Sequence, residues 1–562
     1  MKWRSLYTAG YLILAGLLTA CNSGGGQTGT TPVTITVGGG SAAHKAAYRP
    51  AGSSKAMPAV ASITFTVSGP EMDTVTRVVP ITPPQTITEV FYILSGPSRN
   101  FLIEAKDGSD TVIYSGSVLA NLDGEPLTLT LPLQTMIFNR LIWSPWGDES
   151  TAIARDVNSD DLIIVGHTFG DLEGNVNADP THATPDVFVS KVTSTGARIW
   201  TKQFGTADFD ICYSVATSTS TGDIYLAGST AGALNGASPA GLGTINAFVT
   251  KLSSTGSHLW TRLTGTTGAD TFGNALAMDG AGNVYVTGNT DGGLPDNVNA
   301  GLNDAFIAKY DTNGNPQWTQ QTGSIEHDYG FGIALDAGGT NVYIAGSTHG
   351  GLNSSPTTSY SNAGPSTTTD MFLMKYDATG AWQWTRQVGT PDNDDAWAVA
   401  VDPAGGNVYV AGGTMGDLSG TMGDLTGTGL IGTTDLFVAK FDALGYTVWS
   451  RQLGAIGNNA FANAIAVEPN GQGVVVTGTT DGNLDQLGNA GLNDMLMVEY
   501  DQYGFLVDTR QYGTKADDYG MGIAIDNSGK ITVVGNTYGG FTSSATEDMF
   551  LQQYDWVSPP VY

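Results

Sequence analysis

The chain is poor in the residue types that most enzymes and nucleic-acid binders rely on. It has two cysteines and six histidines in 562 residues. Lys and Arg number 23 against 52 Asp and Glu, a formal charge of −29. A surface so short of cations excludes the phosphate neutralisation that nucleic-acid binding requires. It also excludes adsorption to anionic lipid headgroups. Charged residues of all kinds make up 13%, too few for a coiled coil or a salt-bridged helical bundle. No Gly-x-Ser-x-Gly, His-Glu-x-x-His or P-loop sequence occurs, nor an EF-hand loop. No two histidines stand at metal-ligand spacing in the sequence. The chain therefore carries no recognisable catalytic motif.

Glycine is abundant instead, at 76 residues, together with Thr, Asn and Asp. That composition suits short strands joined by tight turns.

The N-terminus reads as an address. Lys2 and Arg4 precede an apolar run from Tyr11 to Leu18, and Leu18-Thr19-Ala20-Cys21 follows. Such a run is too short to span a bilayer and fits a signal peptide over 1–20. Leu-Thr-Ala-Cys resembles the bacterial lipobox, which implies diacylation of Cys21 after cleavage. Asn22, where Asp would favour inner-membrane retention, implies an outer-membrane destination. The expected localisation is the bacterial cell envelope, with membrane attachment through the lipid alone and no integral helix in the mature chain. Cys212 is then the only remaining cysteine, so no intrachain disulfide is available.

Residues 21–58 are rich in Gly, Ser, Thr, Ala and Pro and read as a flexible linker. At ~5–6 Å × √n it would hold the body roughly 30–40 Å from the membrane. From 59 to 134 alternation appears, as in Ile63-Phe65-Val67, with Gly69-Pro70, Gly96-Pro97, Asp107-Gly108 and Asp123-Gly124 as punctuation. This predicts a small β-sandwich. The Gly96–Phe101 and Tyr114-Ser115-Gly116 runs resemble transthyretin-like domains.

The remainder, 136–562, aligns with itself. Gly282-Asn-Val-Tyr-Val-Thr-Gly288, Asp304-Ala-Phe-Ile-Ala-Lys-Tyr-Asp311 and Gln317-Trp-Thr-Gln-Gln-Thr-Gly323 recur in later units. Trp200, Trp260, Trp318, Trp384 and Trp449 mark the fourth run of successive units. Four strand-length runs per unit indicate propeller blades, whose sheets bury both faces against their neighbours. First-strand runs begin near Ala152, Tyr213, Asn274, Gly330, Ala396, Ala462 and Gly520, and seven fourth-strand runs accompany them. The first fourth-strand run, Arg140–Gly147, precedes every first strand, and the last unit ends at Tyr554 without one. The N-terminal run is thus expected to complete the last blade and close the ring, which removes open edges. The expected fold is all-β: a seven-bladed β-propeller of four-stranded blades, preceded by the small sandwich. The repeats resemble the bacterial SBBP-type β-propeller repeat, which implies no defined enzyme activity. Asp508 stands where the pattern has Trp, and Asn246 where it has Asp.

Long loops between second and third strands, 168–185, 348–369 and 414–434, share one end of the propeller with the connectors between blades. Those connectors carry Asp148, Asp210, Asp270, Asp328, Asp394, Asp395, Asp517 and Asp518. These acids are the candidate binding or cation rim. Hard cations take several carboxylate oxygens, so structural calcium is a candidate, and no other cofactor is implied. The competing reading is that each Asp bonds nearby backbone amides in its own turn. The leading functional expectation is a binding or scaffolding protein for envelope protein or glycan partners. The alternatives are a polysaccharide lyase or hydrolase using paired acids, and a scaffold in outer-membrane assembly.

Overall fold

The computed structural model describes residues 144–554 except 145, 195, 239–242, 356–357, 419–429, 485–488, 490, 514–515 and 539–547. It also describes strands within 30–140. Cys21 and the signal segment lie outside the described residues. Contacts divide the chain into two units, Asn139–Leu551 and a second made of Met1–Phe138 with Gln552–Tyr562.

The second unit contains two sheets. One orders the strands Val75–Pro80, Ser62–Ser68, Gly96–Lys106, Val112–Leu122 and Gln134–Thr135. The other orders Ile87–Leu94, Thr30–Val37 and Leu127–Thr128. The strand Thr30–Val37 corrects the reading of 21–58 as continuous linker. Val33, Ile35 and Val37 alternate with Thr34 and Thr36, a period-two pattern masked by the surrounding Gly and Ser. Its full length pairs antiparallel with Ile87–Leu94.

The larger unit is a seven-bladed propeller of four-stranded antiparallel sheets. Blade three is representative, with strands Thr271–Met278, Val284–Thr290, Asp304–Tyr310 and Pro316–Thr322. Each first strand packs against the first strands of the blades on either side, and the ring closes between blades seven and one. Second strands are buried at nearly every position and third strands almost as fully, whereas first strands are half-exposed at alternate positions. Sheets covered on both faces need apolar residues on both, which explains runs such as Leu162-Ile-Ile-Val165.

Apolar clusters lie between blades. Tyr285, Ile307 and Ala305 of blade three meet Ile333, Ile344 and Phe372 of blade four. The first strand of every blade shifts register by one residue against the second, as between Gly273 and Ala275. This bulge brings the first-strand backbone close to a second-strand glycine. A Cβ on Gly288 would lie 1.8 Å from the carbonyl oxygen of Phe272, so only glycine fits there.

Blade seven consists of Asp518–Ile525, Ile531–Thr537, Asp548–Tyr554 and, from the segment preceding blade one, Asn139–Arg140. Phe550 pairs with Arg140 and Leu551 with Asn139. The expected closure is present, but its strand lies further N-terminal than Arg140–Gly147. Ser144 belongs instead to the turn that binds Asp148. Trp146 projects from that turn and stacks on His182 at 4.8 Å.

Candidate functional site

The end bearing the long loops is built on two sets of buried carboxylates. The first set opens the first strands. Asp210 accepts hydrogen bonds from the backbone N–H of Thr206 at 2.6 Å and its hydroxyl at 2.8 Å. The hydroxyl of Thr230, the last residue of the second strand, donates to its other oxygen. Ser324 and Thr348 hold Asp328 in the same way, as do Thr390 and Thr414 for Asp394. Ser144 and Thr168 do so for Asp148. All four carboxylates are fully buried, and Asp518 is nearly so. Burial pushes Asp210, Asp328 and Asp394 up to about 6 against the opposing effect of these bonds.

The second set opens the third strands. Gln321 of the fourth strand donates to Asp304 at 2.9 Å and to the Gly292 carbonyl at 3.0 Å, while its own carbonyl accepts from Leu294 at 2.9 Å. Gln203 with Asp186, Gln387 with Asp370 and Gln511 with Asp494 repeat the arrangement. Each of these four blades thereby ties the base of its loop to the sheet. The two sets meet at the glycine ending the fourth strand. A Cβ on Gly323 would lie 2.0 Å from Asp304 Oδ1 and 3.0 Å from Asp328 Oδ2.

The eight candidate rim acids therefore divide. Asp148, Asp210, Asp328, Asp394 and Asp518 are buried, and the first four point into the protein's own donors. Asp270, Asp395 and Asp517 are half-exposed. Asp270 accepts from the Ile245 N–H at 3.0 Å, and Asp517 from Asn493 Nδ2 at 2.6 Å. Asp394 and Asp395 are consecutive strand residues and project to opposite faces, so they do not form an acid–base pair. Among the described residues no three His, Cys, Asp or Glu side chains gather in a metal-binding group. Two histidines far apart in sequence, His327 and His349, do meet, with ring centroids 5.9 Å apart. Cys212 is fully buried, and burial pushes its thiol up to about 12, so it is an inert core residue.

The strands around the axis present aromatic side chains to the remaining space. Tyr213, Phe272, Tyr329, Phe331, Trp397, Phe461 and Tyr519 are all half-exposed on first strands. Trp397 of blade five and Phe461 of blade six lie 5.5 Å apart across the blade boundary. Tyr329 stacks between His327 at 5.7 Å and Phe331 at 5.8 Å. The acidic connectors do not point to these residues. Their signal was present: each stands one or three residues after the position that begins the first strand. The arrangement offers a rigid, aromatic-lined surface bordered by long loops, with most of the nearby carboxylates already engaged.

Three segments, 259–295, 383–419 and 448–485, match the family model SBBP, described as a beta-propeller repeat. Over 172 residues the chain is 29% identical to an uncharacterized WD repeat-containing protein, L264, of Acanthamoeba polyphaga mimivirus. That match covers 28% of this chain and 12% of the viral protein. Over 100 residues it is 32% identical to the regulatory protein FlaEY of Caulobacter vibrioides, covering 18% of this chain and 10% of that protein. The chain thus spans only about a tenth of the length of these relatives.

Proposed function

We propose that this chain, a propeller of SBBP-type repeats, is a non-catalytic binding protein of the bacterial envelope. It engages a protein or glycan partner through the loop-bearing end of the propeller. The observation that supports this most directly is the set of half-exposed aromatics on the first strands, above all Trp397 beside Phe461. Aromatic side chains supply large contact area at small entropic cost and stack on apolar faces of peptides and sugars alike. A scaffold that holds its loops by buried hydrogen bonds loses little freedom on binding.

The buried acids argue for the same reading. A general acid or base must reach its substrate, and Asp210, Asp328 and Asp394 are enclosed. The lipid anchor at Cys21 and the outer-membrane location belong to this proposal on the strength of the Leu18–Cys21 sequence.

The test is retention of partners from envelope extracts, together with binding to a glycan array. Trp397→Ala with Phe461→Ala should reduce capture at least tenfold while the circular dichroism spectrum is unchanged. Undiminished capture by a folded double variant overturns the reading. Which of the two assays responds identifies the partner class. Separately, Cys21→Ser should abolish incorporation of labelled fatty acid.

A further inference from the structure

At the end of the propeller opposite the long loops, a repeated set of donors holds each blade to the next. In blades two to five a lysine of the third strand lies over a tyrosine of the second. Lys251 is 5.0 Å from the Tyr225 ring, Lys309 4.8 Å from Tyr285, and Lys375 and Lys440 5.3 Å from Tyr343 and Tyr409. Each ammonium also donates to a carbonyl of the following blade, in its turn between third and fourth strands. The acceptors are Thr312 at 3.4 Å, Ala378 at 3.1 Å, Ala443 at 3.2 Å and Gln502 at 3.0 Å. The indoles of Trp260, Trp318 and Trp449 donate to the same carbonyls as their lysines. Arg262, Arg386 and Arg451 donate to the glycine carbonyls of the same turns.

Blade one departs from this pattern. Ile163 stands opposite Lys191 where the next four blades place Tyr, and an isoleucine gives an ammonium no π face. Lys191 meets instead two carboxylates of its own blade, Asp156 at 3.0 Å and Asp161 at 3.2 Å. Asp161 is itself a departure, since Asn283, Asn341 and Asn407 hold its position in blades three to five. None of the three bonds made at the later boundaries runs from blade one to the turn of blade two. Lys191, Trp200 and Lys202 donate nothing to that turn, and no described donor reaches the Ser254 carbonyl, the counterpart of Thr312. A cavity of about 430 Å³ opens there, and all its lining residues belong to blades one and two.

The walls of this cavity offer donors and acceptors side by side. Burial would raise Asp156, but Lys191, the Asn158 N–H at 3.0 Å and the Ser159 hydroxyl at 2.9 Å hold it below the ordinary carboxylate range. Asp161 keeps lone pairs beyond the one that meets Lys191, and Lys191 keeps a third proton beyond those its carboxylates take. The indole N–H of Trp200 has no described acceptor, and Thr221 and Thr255 add hydroxyls. Two carboxylates against one ammonium leave an excess of negative charge, which disfavours an anion. The ammonium itself occupies the place a cation would take. A neutral hydroxyl both donates and accepts, and the carbon–hydrogen face of a sugar packs on an indole. We propose that this cavity binds a neutral sugar ring, with Trp200 against its face and Lys191, Asp161 and the Ser254 carbonyl holding its hydroxyls. The volume lies within the range of small-molecule sites. The site is at the other end of the propeller from the aromatic surface, and the two can fail separately.

The experiment is saturation-transfer NMR on the full chain with the methyl glycosides of glucose, galactose, mannose and N-acetylglucosamine. At the binding efficiency usual for ligands of this size, at least one should bind with a Kd on the order of 1 mM. Ile163→Tyr installs the residue of blades two to five and should close the cavity, weakening binding about tenfold or more. Trp200→Ala should weaken it likewise. Trp200 makes no bond to the turn of blade two, so this variant leaves the bonds of the other boundaries in place and keeps the test decisive if Ile163→Tyr does not fold. Circular dichroism checks the fold of each. Binding by the parent that folded variants lack supports the proposal. Saturation of none of the four sugars, undiminished binding by a folded variant, or stronger binding of glucuronate or glucosamine than of the neutral sugars overturns it. Sugar binding that survives Ile163→Tyr and is lost with Trp397→Ala and Phe461→Ala belongs to the aromatic end, which overturns this site and leaves the other standing.

Discussion

The acids that look like a cation rim in the sequence are at residue scale mostly structural. An Asp that begins a strand has a choice between solvent, an ion and the unpaired amides of the preceding turn. Here Ser or Thr four residues earlier and Thr at the end of the second strand settle it. Those three positions, Thr206, Asp210 and Thr230 in blade two, are all visible in the sequence. Their meeting depends on the register between two strands, which composition does not reveal.

The buried acids also set a pH dependence. The raised values of Asp210, Asp328 and Asp394, about 6, compare with about 3.9 for an unfolded Asp. Between those values the folded state holds more protons than the unfolded state, so stability falls as pH rises. The contribution is fully present below about pH 4 and is lost as pH passes 6, on the order of 2 kcal/mol per group. Asp179, held near 2, and Asp336, also lowered, act in the opposite sense but below the ordinary carboxylate range. The melting temperature should therefore rise between pH 7 and pH 5. Asp394→Asn should remove about a third of the rise due to these three acids. A melting temperature that falls over this interval would refute the assignment.

The blade is the element whose design was most legible. Turn residues, four apolar runs and a repeating Trp identify it, because a sheet covered on both faces leaves a continuous apolar signature. The single glycines inside second strands are as informative. A Cβ on Gly346 would come within 1.9 Å of the Tyr329 carbonyl oxygen and 2.6 Å of the Phe372 ring. Gly346→Ala must displace backbone, and we expect a loss of about 3 kcal/mol or more, measured by urea denaturation. Trp318→Ala removes a contact to Tyr285 at 5.9 Å and the bond to the Ala378 carbonyl. It should cost about 3 kcal/mol, whereas Asp508→Ala at the equivalent place in blade six should cost far less. What the repeat pattern hid was the aromatic set around the axis. Tyr329 and Trp397 stand at fixed positions of the first strand whose residue type changes from blade to blade, so no repeated residue type marks them.

The propeller ring is closed by a strand that precedes blade one in the chain and completes blade seven. Counting runs was enough to foresee that closure, since seven first strands and seven fourth strands pair only if the first fourth strand belongs to the last blade. Its exact placement was not legible, because Trp143 and Trp146 imitate the repeated Trp while Ser144 is committed to Asp148. The seam between blades seven and one is an apolar cluster in which Met549, Leu551 and Val534 meet Ile153, Leu162 and Phe188. A propeller is a chain of nearest-neighbour interfaces, and closure makes each blade depend on two of them. Weakening the seam removes one interface from both flanking blades. Leu551→Ala at full burial should cost about 2–5 kcal/mol. The equivalent interior change, Leu373→Ala between blades four and five, should cost a similar amount but act locally. Hydrogen exchange distinguishes them. Leu551→Ala should speed exchange together in the second strands of blades one and seven, Leu162–Thr168 and Ile531–Thr537, while leaving Asn341–Thr348 protected. Uniform acceleration around the ring would mean that the propeller unfolds as one cooperative body and that the seam has no special role.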